Sequence, residues 1–153
     1  MKENGDKPGD FMSEKSYLLE NLNGKHIHFV GIKGTGIVAM VELLYARKAV
    51  ITGSDVSERF YTDEMLEKMG LNALPFDEKN ITDDIALVIY AGSYKLDVHP
   101  ELIAAVKKGI PCLGYSEALG LISETAYSLG ICGVHGKTTT TGLVGTILKE
   151  LNL

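Results

Sequence analysis

A chain of 153 residues can bury one sizeable core, and 45% hydrophobic with 23% charged residues is an ordinary globular composition, which excludes a broadly disordered or membrane-embedded protein. The formal net charge of -5, with Lys and Arg scattered along the chain, excludes a nucleic-acid footprint built on a basic face. Any anionic ligand must therefore be held by local geometry.

The first ~20 residues are polar, contain glycine and lack an apolar h-region, so residues 1–24 read as a flexible arm rather than a secretory signal, and a cytoplasmic protein is expected. His26 to Val30 then reads as a short strand that runs into Gly31-Ile32-Lys33-Gly34-Thr35-Gly36. Ile37 to Lys48 carries Val38, Val41, Leu44 and Tyr45 at a helical period, and Ala49 to Gly53 is the next strand, with Ser54-Asp55 at its end. This is a βαβ unit, whose connection has the length that joins parallel neighbours.

A helix around Asp63 to Met69, a weak strand near Leu71 to Leu74 and a buried strand at Ile85 to Ala91 follow. Pro100 to Lys108 reads as a helix stopped by Gly109, Ile110 to Leu113 as a short strand, and Ser116 to Ile122 as a brief helix. Such alternation predicts an α/β fold: a Rossmann-like open, mainly parallel sheet with helices on both faces. Between Ser123 and Ala126 the pattern restarts, so residues 25–123 are expected to form one domain and 124–153 to begin a second. Cys112 and Cys132 lie in apolar surroundings without metal-type spacing and read as core thiols.

Gly31 to Gly36 resembles the dinucleotide fingerprint, in which glycines allow a tight turn, close approach to a pyrophosphate and close helix packing. Glycine stands at its first and last positions, while Lys33 holds the middle one, where it either adds charge to a phosphate site or obstructs the approach. Asp55, at the end of the second strand, stands where an acidic residue accepts hydrogen bonds from ribose hydroxyls. Loop and carboxylate together point to a nucleotide-type ligand. Ser93 follows the buried strand at the carboxyl edge, as a phosphate or sugar contact or as a plain turn serine. His99-Pro100-Glu101 reads as a helix start, and His28 as a satisfied sheet histidine.

The run Tyr127 to Cys132, then Gly133-Val134-His135-Gly136-Lys137-Thr138-Thr139, reads as a strand, a glycine turn and a helix start. Turn amides and the helix dipole favour an anion there, Lys137 reaches outer phosphates, and Thr138 supplies a hydroxyl to Mg²⁺. The spacing departs from G-x-x-x-x-G-K-[ST], since Ile131 stands where that pattern has glycine. The plain alternative makes Thr138 or Thr139 a helix cap.

Two phosphate-binding turns in this order resemble the Mur ligases of peptidoglycan synthesis. The resemblance runs through His28-Phe29-Val30-Gly31-Ile32, Gly34, Gly36, Gly53-Ser54-Asp55, Thr62, Pro100-Glu101, Glu117 and Gly133-x-His135-Gly136-Lys137-Thr138-Thr139-Thr140-Thr141. The family usually has glycine at Lys33, serine at Gly92, asparagine at His99 and arginine at Tyr115. What the resemblance implies is an N-terminal UDP-sugar domain followed by the opening of a central ATPase domain. Its expected activity is ATP-driven amide formation through an acyl phosphate, with ATP and Mg²⁺ as cofactors.

By that resemblance Gly31, Lys33, Gly34, Thr35, Gly36, Asp55 and Ser93 bind the UDP-sugar. Gly133, Val134, His135, Gly136, Lys137, Thr138 and Thr139 bind ATP, Lys137 and Thr138 are catalytic, and Thr138 holds the metal. The His-Gly-Lys-Thr-Thr-Thr run favours the branch that adds L-alanine to UDP-N-acetylmuramate, or the related murein-peptide-recycling branch. No nucleic acid or membrane is an expected partner. The chain is expected to be the front of a longer enzyme, inactive alone, with Leu143, Ile147 and Leu151 as an apolar stripe suited to self-association. The rival readings are a stand-alone nucleotide-sugar-binding module and a nicotinamide-dependent oxidoreductase.

Overall fold

The computed structural model describes Leu19 and residues 21–151. In chain order they form β1 (His26–Val30), α1 (Thr35–Ala46), β2 (Val50–Ser54), α2 (Tyr61–Lys68), a 3₁₀ turn (Glu78–Asn80), β3 (Ile85–Tyr90), α3 (Pro100–Lys107), β4 (Cys112–Gly114), α4 (Tyr115–Glu124) and α5 (Lys137–Glu150). The four strands pair in parallel in the order β2-β1-β3-β4. Chain order reverses between β1 and β3, so the switch point of the sheet lies there.

Strand side chains alternate between two cores, as a pleated strand requires. Ile27 and Phe29 of β1, with Leu87 and Ile89 of β3, face a core built with Val38, Val41 and Leu44 of α1, Leu66 of α2 and Leu121 of α4. Val30 and Val88 face the opposite side, against Leu102 and Ala105 of α3. Helices thus cover both faces, as the alternating pattern predicts. Each fully buried aliphatic side chain contributes about 1.5 to 3 kcal/mol.

The first three helices close alike. Ala49 N–H bonds Leu44 C=O and Lys48 N–H bonds Tyr45 C=O after α1; Leu71 and Gly70 do the same after α2, and Ile110 and Gly109 after α3. In this closure the residue past the cap is left-handed. At α1 that residue is Lys48, with φ 65°, a conformation that favours glycine. Lys48→Gly is therefore expected to stabilise the fold by about 0.5 to 1 kcal/mol in urea denaturation.

Several expectations need correction. Tyr127 to Cys132 forms no strand, because no neighbouring strand among the described residues takes its backbone bonds. Cys132 is accordingly exposed, while Cys112 is half-buried on β4. The weak strand at Leu71 to Leu74 reduces to a single parallel bridge between Leu74 and Ser54. Of the arm expected over 1–24, residues 1–18 and 20 lie outside the described residues, whereas Leu19 and Leu22 are buried in the core. Helix α5 buries no residue, and Leu143, Ile147 and Leu151 are exposed along it. No helix among the described residues is long and apolar enough to cross a membrane.

Candidate functional site

A cleft of about 390 Å³ opens at the carboxyl ends of β1, β2 and β3, lined by Gly31, Lys33, Gly34, Thr35, Asp55 and Ser93. Aromatic walls complete it: Phe60 and Tyr61 on one side and Tyr94 on the other. Six of the seven residues assigned to the sugar nucleotide from sequence thus share one cavity. The seventh, Gly36, does not line it; a Cβ there would lie 2.7 Å from the Tyr115 hydroxyl.

The backbone donors of the glycine turn are mostly spent within the protein. Gly31 and Ile32 donate to Ser54 C=O at 2.8 and 3.1 Å, and Gly34 donates to Gly31 C=O at 3.2 Å. Lys33 N–H donates to Asp55 Oδ2 at 2.8 Å. What remains for an anion is the first turn of α1, from Thr35 onward, because Gly34 caps that helix without a side chain.

Asp55 likewise does two jobs. Its carboxylate accepts from Lys33 N–H and from Val56 N–H, both at 2.8 Å, which ties the glycine turn to the end of β2. A carboxylate has about four acceptor sites, so capacity is left for hydroxyl donors in the cleft.

Gly31 is fixed by its surroundings. Its φ is 86°, and a Cβ would stand 2.6 Å from Tyr94 Cε2. The Tyr94 ring is in turn held edge-on by Phe76 at 5.4 Å and His99 at 4.9 Å. Burial and the nearby Asp55 and Glu101 carboxylates push its phenol up, so the hydroxyl stays protonated.

Behind the cleft lies a polar cluster that sequence reading missed. Glu101, at the start of α3, is fully buried and accepts from Ser54 Oγ, from Asn80 Nδ2 at 2.6 Å and from Asp77 N–H at 3.1 Å. His28 Nε2 stands 3.6 Å from its Oε2. Burial alone would raise this carboxyl's pKa, but His28 and the bonds from Ser54, Asn80 and Asp77 outweigh that and hold it below the ordinary value. Burial also lowers the pKa of His99, and Glu101 opposes that shift. Ser54 links the cluster to the cleft, because its carbonyl receives the first two amides of the glycine turn. The sequence placed Glu101 in a first helical turn, which the helix dipole already explains, and within the family resemblance, neither of which assigns it these partners.

The second glycine turn stands apart and is exposed from Gly133 to Thr139. Gly136 takes φ 78° and α5 starts at Lys137. Lys137 Nζ folds back onto its own turn, 2.7 Å from Gly133 C=O and 3.4 Å from Val134 C=O. Val134, His135, Thr138 and Thr139 lie beside it on the exposed side.

An open parallel sheet with a glycine turn, an acidic strand end and a cleft at its switch point is the frame of a nucleotide-binding α/β domain. A family model described as "Mur ligase family, catalytic domain" matches residues 26–127. The chain belongs to the Mur ligase family.

Two relatives are each named "UDP-N-acetylmuramate--L-alanine ligase". That of Treponema pallidum (strain Nichols) is 45% identical over 141 residues, covering 92% of this chain and 29% of the relative. That of Streptococcus thermophilus (strain LMD-9) is 39% identical over 127 residues, covering 83% and 28%. The solved structure of the UDP-N-acetylmuramate-alanine ligase from Thermotoga maritima superposes with TM-score 0.72 at 30% identity, covering 83% of this chain and 30% of that one. The chain thus spans under a third of the length of these relatives.

Proposed function

We propose that this chain is the UDP-sugar-binding part, with the opening of the ATP site, of a ligase that joins L-alanine to the lactyl carboxylate of UDP-N-acetylmuramate. The observation that carries the reading is the single cleft gathering Gly31, Lys33, Gly34, Thr35, Asp55 and Ser93 at the switch point. The names and similarity of the relatives support it. The domain boundary is placed between residues 123 and 124. The same reading makes the protein cytoplasmic, with roles in cell wall biogenesis, cell shape and cell division, and without nucleic-acid or membrane partners.

In the reaction the substrate carboxylate attacks the γ-phosphorus of ATP and ADP leaves. The alanine amine then attacks the acyl phosphate, losing a proton, and inorganic phosphate leaves as the amide forms. The protein's part is positioning and electrostatics. The first turn of α1 grips the diphosphate of the sugar nucleotide, and Asp55 accepts from the ribose. Lys137 exchanges the Gly133 and Val134 carbonyls for phosphate oxygens, while the amides of the Gly133 to Thr139 turn surround the charge.

The Thr138 hydroxyl suits Mg²⁺, a hard cation that takes phosphate and water oxygens for most of its shell. Among the described residues no cluster of three His, Cys, Asp or Glu competes for such a role. When bound, Mg²⁺ neutralises phosphate charge. In the 153 residues alone the Lys137 turn stays exposed, so no phosphate release from ATP is expected of them. The exposed face of α5 would be covered by the rest of a central domain, or by a second copy; a monomer at every concentration in sedimentation would contradict self-association.

Calorimetry tests the reading. UDP-N-acetylmuramate is expected to bind and NAD not to bind. Asp55→Ala, which removes a hydroxyl acceptor and frees two turn amides, is expected to weaken binding about tenfold or more. Tighter binding of NAD than of UDP-N-acetylmuramate would overturn the sugar-nucleotide reading of the cleft.

A further inference from the structure

Lys33 sits in the cleft wall, nine-tenths buried, yet its charge is not offered to a ligand. Its ammonium donates to Val56 C=O at 3.0 Å and Glu58 C=O at 2.8 Å, and pairs with Asp63 Oδ1 at 3.1 Å. A lysine ammonium has three donors, so these partners use all of them. The backbone of the same residue is held twice more, through its N–H to Asp55 and through its C=O, which accepts from Thr62 Oγ1 at 2.7 Å.

Every one of these partners belongs to the segment between the end of β2 and the first turn of α2. That segment forms the Phe60 and Tyr61 wall of the cleft. It has little core of its own, since Val56, Phe60 and Tyr61 are exposed. The Phe60 ring also lies 5.8 Å from the Lys33 ammonium, and apart from Lys33 the seam from glycine turn to wall includes Thr35 Oγ1 to the Tyr61 hydroxyl at 2.8 Å, which is exposed.

We propose that Lys33 is a positioning residue: its buried ammonium straps the wall of residues 56–62 to the glycine turn, so that the cleft is formed before a nucleoside diphosphate enters. This rests on the reading of the cleft as a nucleotide site. Without the strap the wall samples open positions, and apparent affinity falls by the fraction of molecules whose cleft is closed.

Lys33→Met keeps the aliphatic stem and removes the donors. In the free 153-residue chain, amide exchange over residues 56–62 is expected to quicken about tenfold while β1 and β3 keep their protection. UDP affinity is expected to fall about tenfold, and saturating UDP to restore the protection. Asp63→Asn, which retains both carbonyl partners, should show a smaller change in the same direction and replaces Lys33→Met if that variant does not fold. Failure of the unaltered chain to bind UDP would reject the nucleotide reading, while the exchange comparison would still decide the strap. Unchanged exchange over 56–62, loss of protection spread evenly through β1 and β3, or UDP affinity equal to that of the unaltered chain would overturn the proposal.

Discussion

Glu101→Ala is expected to destabilise the fold by about 3 to 5 kcal/mol in urea denaturation, the cost of stripping a buried charge network of its acceptor. Ser54 Oγ, Asn80 Nδ2 and the Asp77 amide all lose their partner, and His28 Nε2 loses its nearest carboxylate oxygen. Glu101→Gln keeps the shape and one carbonyl acceptor but turns a donor toward donors, so a loss of about 1 to 3 kcal/mol is expected. A substitution that changes stability by less than about 0.5 kcal/mol, the range of ordinary surface sites, would show that the cluster is not what holds β1, β2 and α3 in register.

The same carboxylate gives the chain a pH signature. Its folded pKa lies below the ordinary 4.5, so its contribution is complete above that value and is lost as pH falls through the folded value. His99 adds an earlier loss. Its folded pKa lies below the ordinary 6.5, so the unfolded chain takes up the proton first and stability declines as pH drops below that value. Urea midpoints are expected to fall as pH drops below about 6.5 and to fall further below about 4.5, with the second part of the decline flattened in Glu101→Gln. A midpoint that rises on acidification would contradict both assignments.

Gly31→Ala carries the second large effect, and here stability and binding should fall together. Alanine at φ 86° costs about 1 to 2 kcal/mol in backbone strain. Its methyl group also meets Tyr94 Cε2 at 2.6 Å and Ala91 Cβ at 3.0 Å. Tyr94 cannot simply retreat, since Phe76 and His99 pack on its ring, so it moves toward the cleft it lines. A stability loss of about 2 kcal/mol and a fall in UDP affinity of more than about tenfold are expected. Gly92→Ala is the matched control, because a Cβ there meets nothing within 4 Å. Equal behaviour of the two variants would mean that the turn is not under the constraint described.

The β1-α1-β2 unit is legible in the sequence because its signals are local: a run of strand formers, a glycine turn, and apolar residues at helical spacing. Asp55 is legible for the same reason, as an acid at the end of a readable strand. Tyr127 to Cys132 misleads because apolar content announces a strand only where another strand can pair with it. Lys33 cannot be read at all from its position. Its partners Val56, Glu58 and Asp63 are brought beside it only by the parallel pairing of β1 with β2. Glu101 is hidden by its helix start, and only the packing of α3 against β1 and β3 shows that its side chain reaches Ser54 at the end of β2. The cleft residues Tyr94, Phe60 and Tyr61 carry no motif, and their role comes from shape alone.

The opening turn of α1, with Asp55 beside it, is proposed to receive a uridine diphosphate. Amide NMR of the 15N-labelled chain during titration with UDP tests this most directly. The largest shifts are expected at residues 34–37, with further ones at 55–56 and 93–94, saturating together. Shifts centred instead on residues 133–139, or none at millimolar UDP, would contradict it.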